Sequence, residues 1–252
     1  MVQKFQNAIC YLLFIFSFFL CACGIEDIPF IDPIPQGNIV QAMNNRAVVR
    51  IPSESPGTTF TNFSVFYRIY VSDTLQQSTT TNVYSAINST LVSDYNYFNG
   101  YINSTTQVNV DMNTVFQNRG YKYLVLEEPN INNINTVLSE SSLGQSLIFD
   151  FSSFTRPTLT LGNNTYVLWR SDGGGLFSPR PNRYFVNNNE LSNPDNINNQ
   201  INADVVNKAN LSASDRRYTY AAMFIVAVGI NPSSYSNIYS SPSLIHVFLL
   251  PD

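Results

Sequence analysis

The stretch FSVFYRIYVS, residues 63–72, decides the fold class of this 252-residue chain. Alternate positions place five large side chains on one face, namely Phe63, Val65, Tyr67, Ile69 and Val71. A period of two, carried by aromatic and β-branched residues, predicts a β-strand. Upstream, RAVVRI (residues 46–51) predicts a second strand that Pro52 stops, and SESPGTTFTN between the two predicts a loop rich in turns.

The C-terminal part of the chain repeats this pattern. Residues 218–228 are aromatic and β-branched and end at Gly229, with Asn-Pro soon after it. Both faces of this run are apolar, so we expect a central strand that is covered on both sides. The polar segment SSYSNIYSSPS predicts a long loop, and residues 244–250 predict a last strand.

The middle of the chain predicts more strands and some short helices. The strand segments are residues 121–126, 146–151, 158–161 and 166–169, and Asn163-Asn164 suits a hairpin turn. Residues 83–99 and 111–118 fit short helices, and the Asn-rich residues 194–211 fit a loop with a helical turn or two.

The first two and the last two predicted strands together resemble a fibronectin type III or related immunoglobulin-like domain. VFYRIY is similar to the aromatic third strand of such domains, and FIVAVG with the following SSPS segment resembles their last two strands. The resemblance implies a mainly β fold, an antiparallel β-sandwich. Such domains have about 100 residues, and the usual Trp of the second strand is missing. We therefore expect one sandwich domain over residues 41–252, with an insertion at 73–217 that contains extra strands and short helices.

The N-terminus predicts an export signal. Lys4 precedes ICYLLFIFSFFLCA (residues 9–22), whose 14 residues would span about 21 Å as a helix. A bilayer core is about 30 Å thick, so a secretory signal is favoured over the alternative, a transmembrane anchor. No basic residue follows the run before Arg46.

Leu20-Cys21-Ala22-Cys23 resembles the lipobox of bacterial lipoproteins. The resemblance implies that residues 1–22 are removed, that Cys23 is acylated, and that the membrane is a partner through this lipid. Gly24 in place of Asp implies the outer membrane. Residues 23–40 then form an extended tether, because their prolines block a helix. The mature chain keeps one cysteine, which excludes disulfides, a cysteine zinc site and thiol catalysis.

Composition excludes nucleic acid as a partner. Without Lys4, 12 basic residues face 17 acidic ones, and charged residues are 12% of the chain. Nucleic-acid binding needs a basic face. His246 is the single histidine, so we expect no metal and no cofactor, and we interpret it as a core residue. Glu127-Glu128 and the glycine run after Asp172 are interpreted as a strand end and a flexible turn.

The best functional signal is a set of tyrosines in predicted loops or short helices amid Asn and Ser. They are Tyr95, Tyr97, Tyr101, Tyr235 and Tyr239. Tyr with Ser and Asn is typical of adaptable binding surfaces for a protein or glycan ligand. The alternative is that these rings pack under the loops. The sequence thus predicts a membrane-anchored binding, adhesive or structural module without catalytic residues. The alternative function is an envelope enzyme that acts on glycans or peptidoglycan.

Overall fold

A computed structural model describes residues 31–43, 45–72, 89–102, 112–127, 134–153, 156–170, 175–176, 205–207 and 218–250. The fold is mainly β, with few helices and an antiparallel, curled sheet, as the sequence predicted at that level. The predicted leader, Cys23, Glu128 and Asp172 lie outside these residues, as does most of residues 194–211.

In the described part of the chain, twelve strands form the sheet. They are β1 Ile39–Met43, β2 Arg46–Arg50, β3 Phe60–Ser72, β4 Lys122–Glu127, β5 Ser146–Asp150, β6 Thr158–Leu161, β7 Asn164–Arg170, β8 Gly175–Leu176, β9 Val205–Asn207, β10 Tyr218–Ile230, β11 Asn237–Tyr239 and β12 Ser243–Leu250. The helices are α1 Ser89–Ile102, α2 Met112–Asn118 and α3 Ile134–Val137, with short 3₁₀ turns at Gln36–Asn38 and Glu140–Ser142.

The strand order is β1-β2-β5-β6-β7-β4-β3-β10-β11. β12 also pairs with β10, and β8 and β9 are short additions to β7 and β3. All pairs are antiparallel except β9 with β3. β3 and β10 are direct antiparallel neighbours from Tyr218 opposite Ser72 to Gly229 opposite Phe60. The two runs, which we expected in one sandwich, pair in one sheet, although about 145 residues separate them.

Some local predictions were wrong at the edges. The polar segment 233–243 contains the short strand β11, and the helix predicted over residues 83–99 continues to Ile102. Residues 83–88 of that prediction lie outside the described residues. The β6–β7 hairpin turns at Gly162 and Asn163, one residue earlier than predicted, because Gly162 adopts a left-handed φ of 58°. Ile31 and Ile34 are buried in the core, so part of the predicted tether of residues 23–40 is packed against the sheet.

The inner faces of the curled sheet meet in one hydrophobic cluster, which we call the inner core. It joins β1, β2 and β5–β7 to the facing side of β3, β10 and β12. Across it, the Phe149 and Phe151 ring centroids lie 6.2 Å and 4.5 Å from that of Phe248. Side chains link β12 to the segment before β1, where Gln36 Nε2 donates to the Leu244 carbonyl at 3.0 Å.

A second cluster, the outer core, covers the opposite face of β3, β10 and β12. Here α1 and α2 pack on the sheet. Phe66 of β3 stacks on Phe116 of α2 with ring centroids 4.3 Å apart, and Phe98 of α1 lies 4.9 Å from Phe224 of β10. The prediction that β10 is covered on both faces is therefore confirmed, with helices supplying the cover on this side.

Candidate binding surface

Helix α1 carries three of the five predicted tyrosines. Leu91, Asp94 and Phe98, spaced by three and four residues, form its buried side and face the sheet. Tyr95, Tyr97 and Tyr101 are half-buried and pack against the outer core. These three side chains thus project from a rigid helix, and not from a loop.

Tyr97 and Tyr101 form a pair, because residues four apart lie on the same helix face. Their ring centroids are 5.4 Å apart in an edge-to-face arrangement, and the Tyr101 hydroxyl donates to that of Tyr97 at 3.3 Å. This hydrogen bond, together with partial burial, raises the pKa of Tyr101. The Arg119 guanidinium lies 4.2 Å from the Tyr97 ring centroid. Such a cation–π contact contributes about 0.5–1 kcal/mol at a partly exposed site.

Beneath the pair, Asp94 fastens α1 to the sheet. Its side chain is 1% exposed. Its Oδ2 accepts hydrogen bonds from the Tyr70 hydroxyl at 2.6 Å and from Arg68 Nη1 at 3.0 Å. Oδ1 accepts a longer bond of 3.4 Å from Arg119 Nη1. Since Tyr70 donates to the carboxylate, Tyr121 is the donor in the 2.9 Å bond between the two tyrosine hydroxyls. We call these five side chains the Asp94 network.

Burial decides the protonation of the two tyrosines in the network. Desolvation is the main cause that raises the pKa of Tyr70 and of Tyr121 well above the ordinary value. Gly120 leaves room for the network, because a Cβ there would lie 3.0 Å from Arg68 Nη2. Gly120 also has a φ of 72°, in the left-handed region that favours glycine.

The β11–β12 region reaches the same side of the molecule. Ser241 Oγ donates to the Tyr101 carbonyl at 2.6 Å and so joins this region to the end of α1. Tyr239 of β11 is half-buried and packs on the outer core, and Asn237 Nδ2 lies 3.4 Å from its hydroxyl. The structure therefore assembles Tyr97, Tyr101 and Tyr239 on one side of the outer core, and we call these three residues the tyrosine patch.

Tyr235 has a different setting, at the tip of the β10–β11 hairpin. It is 84% exposed and is not among the rings that pack on the outer core. Its φ of 55° is held by the loop, in which its amide donates to the Asn231 carbonyl at 2.8 Å. The Asn231 side chain also accepts from the Ser233 amide at 2.8 Å. The tip thus presents one aromatic ring from a hydrogen-bonded turn.

Comparison of the chain with protein-family models, curated proteins and solved structures finds no match.

Two other candidate residues of the sequence analysis, His246 and Glu127, lie in strands of the sheet. His246 is 2% exposed in β12 and lies edge-on to Phe248, with ring centroids 5.0 Å apart. Glu127 is the last residue of β4. Within the described ranges, no three His, Cys, Asp or Glu side chains converge as a metal site would require. The helices that the structure describes include none that could cross a membrane.

The sequence analysis missed the Asp94 network. One signal was available, since Asp94 lies between Leu91 and Phe98 on the apolar side of the helical pattern. Arg68 likewise interrupts an otherwise apolar strand run. Buried charges are rarely left unpaired, so the sequence pattern predicts that the Asp94 and Arg68 side chains each have a partner. Their pairing with each other required the tertiary structure.

Proposed function

We propose that the chain is an outer-membrane lipoprotein, anchored through acylated Cys23, whose folded part is a binding, adhesive or structural module. The observation that carries the proposal is the tyrosine patch above the Asp94 network. A carboxylate with three partners holds α1 in place, so the Tyr97 and Tyr101 rings are already ordered before a ligand arrives. Ordering before binding reduces the entropic cost of association.

The chemistry of the patch favours an uncharged ligand, a protein surface or a glycan. Tyrosine offers a large rigid area and a hydroxyl that keeps the surface wettable. Asn237 supplies an amide next to Tyr239, and Arg119 is the cation beside Tyr97. Affinity would come mainly from ring stacking and neutral hydrogen bonds.

The proposal includes an immunoglobulin-like origin for the sheet. The neighbour order β3-β10-β12 supports it, because it corresponds to the order of the third strand and the last two strands in such sandwiches. The other half departs from that pattern. There β2 pairs with β5, and β6 lies on the far side of β5. Immunoglobulin domains have the reverse order, because their second strand pairs with the strand that comes later in the chain.

The binding proposal is tested with the full chain in detergent as bait for envelope extract, followed by titration of the captured partner. Tyr97→Ala and Tyr239→Ala should each weaken binding at least tenfold. Trp169→Ala is the matched control, since it truncates a half-buried aromatic residue on β7, four places from β11 in the strand order. If both patch variants bind like the unmodified chain, or if the control alone loses binding, the patch is not the site.

The anchor is tested separately. Cys23→Ala should abolish labelling by a fatty-acid analogue and move the protein from the detergent phase to the aqueous phase, because the covalent lipid is the proposed membrane attachment. A variant that stays with the membranes and keeps its leader would show that the leader is a transmembrane helix.

A further inference from the structure

The first described residues of the chain lie at the end of β10. The Ile31 side chain lies over Gly229, where it occupies the space that a Cβ would need. The Asp32 amide donates to the Pro56 carbonyl at 2.9 Å. Beside them, the Ile230 amide donates to the Thr59 carbonyl at 3.0 Å. We call this end of the molecule, with residues 31–32, 56–59 and 229–230, the entry end.

The β10–β11 hairpin tip projects from the entry end. Tyr235 and Ile230 are 84% and 42% exposed, and they are two of the three exposed large hydrophobic residues in the described part of the chain. The tip sequence NPSSYSN, residues 231–237, carries no charge. The tip therefore combines an exposed ring with neutral polar neighbours and lies next to the aliphatic Ile230, while Asp32 is an acidic residue of the entry end.

Chain length limits how far this end can lie from a lipid on Cys23. Seven residues lie between Cys23 and Ile31, and the eight residue steps from one to the other reach at most about 26–29 Å when fully extended. An acyl anchor at Cys23 therefore keeps the entry end within this distance of the headgroups, whatever path the intervening residues take.

We infer that the β10–β11 tip docks on the lipid surface, with Tyr235 at the headgroup level and Ile230 beside it. The inference rests on the proposed lipid at Cys23. Tyrosine is enriched at membrane interfaces, where its ring meets acyl chains and its hydroxyl meets water. One ring and one half-exposed aliphatic side chain would not hold a free protein, but the tether makes the contact intramolecular and raises its effective concentration. The tip then orients the domain on the membrane.

The experiment places a single indole at the tip of the full, lipidated chain. Tyr235→Trp is made in a Trp169→Phe background, and the protein is reconstituted into phosphatidylcholine vesicles with brominated acyl chains. The matched control is Ser153→Trp in the same background. Ser153 is exposed and lies three residues after Asp150, the last residue of β5. The other end of β5, at Ser146, is the one near the entry end, because the Gly144 amide donates to the Pro52 carbonyl there. Ser153 therefore lies at the end of β5 that is far from the entry end.

We expect bromine to quench the tip indole at least twofold more than the control indole, with a blue-shifted emission. Because the tip carries no positive charge, 20% phosphatidylglycerol should not increase the quenching of the tip indole. If the protein floats with the vesicles and both indoles are quenched equally, the anchor stands and the inference is wrong. Ile230→Trp places the indole at a second position of the same end, so that the quenching measurement can be repeated there. If the unmodified chain does not float, the anchor proposal fails, and the inference fails with it.

Discussion

Removing the Asp94 carboxylate should be among the most damaging single changes to this fold. Asp94→Ala would leave the Arg68 side chain, 16% exposed, and the buried Tyr70 hydroxyl without their acceptor. Breaking a buried ion pair from one side costs about 3–5 kcal/mol, because the remaining charge is buried without compensation. Domains of this kind have a free energy of unfolding of about 5–15 kcal/mol, so the loss would be a large fraction of the total.

Two further variants separate charge from shape. Asp94→Asn keeps the volume and one acceptor but removes the charge, and charge-assisted hydrogen bonds are worth about 1 kcal/mol more than neutral ones. We therefore expect Asp94→Asn to cost about 1–3 kcal/mol. Arg119 is 35% exposed and its contact with Asp94 is longer, so Arg119→Ala, which also removes the cation–π contact with Tyr97, should cost about 1–2 kcal/mol.

The assay is urea unfolding followed by circular dichroism, together with amide hydrogen exchange over Ser89–Ile102. Asp94→Ala should lower the free energy of unfolding and remove protection from α1 before the β10 amides lose theirs, since the network joins the helix to the sheet. The reasoning would be refuted if Asp94→Ala unfolds within 1 kcal/mol of the unmodified protein while α1 keeps its full protection.

Three other outcomes follow from the structure. The raised pKa values of Tyr70 and Tyr121 mean that both must stay neutral in the folded state, so their contribution to the free energy of unfolding is complete below pH 10 and falls above it by about 1.4 kcal/mol per pH unit for each tyrosine. Tyr121→Phe should reduce this fall of the free energy of unfolding with pH in alkaline urea titrations, and an unchanged fall would contradict the assignment. Gly229→Ala should cost about 1–3 kcal/mol by thermal unfolding, because the new Cβ overlaps Ile31 Cδ1 and the Thr59 carbonyl oxygen; a cost near zero would mean that this end repacks freely. Binding at the tyrosine patch should change less than tenfold between about 50 and 500 mM salt, where the Debye length falls from roughly 14 to 4 Å; a steeper dependence would show that charge dominates.

Local patterns predicted much of the sheet. Period-two alternation identified β3, and the two apolar faces of β10 identified a central strand, because each residue's position in a strand decides which face its side chain joins. The same reasoning located short helices near α1 and α2, and it selected Tyr97, Tyr101 and Tyr239 as candidates. It could not say whether these rings were free or half-buried.

The sequence by itself therefore determined that this chain is mainly β and that β10 needs cover on both faces. Only the tertiary structure decided what covers β10, the curled sheet on one side and α1 with α2 on the other, and that β3 is covered in the same way. It also joined Asp94 to Arg68, 26 residues away, and to Arg119, 25 residues away. The physical reason is that an apolar pattern reports that a face is buried but carries no information about its partner. Partners are selected by register and shape complementarity between segments far apart in the chain.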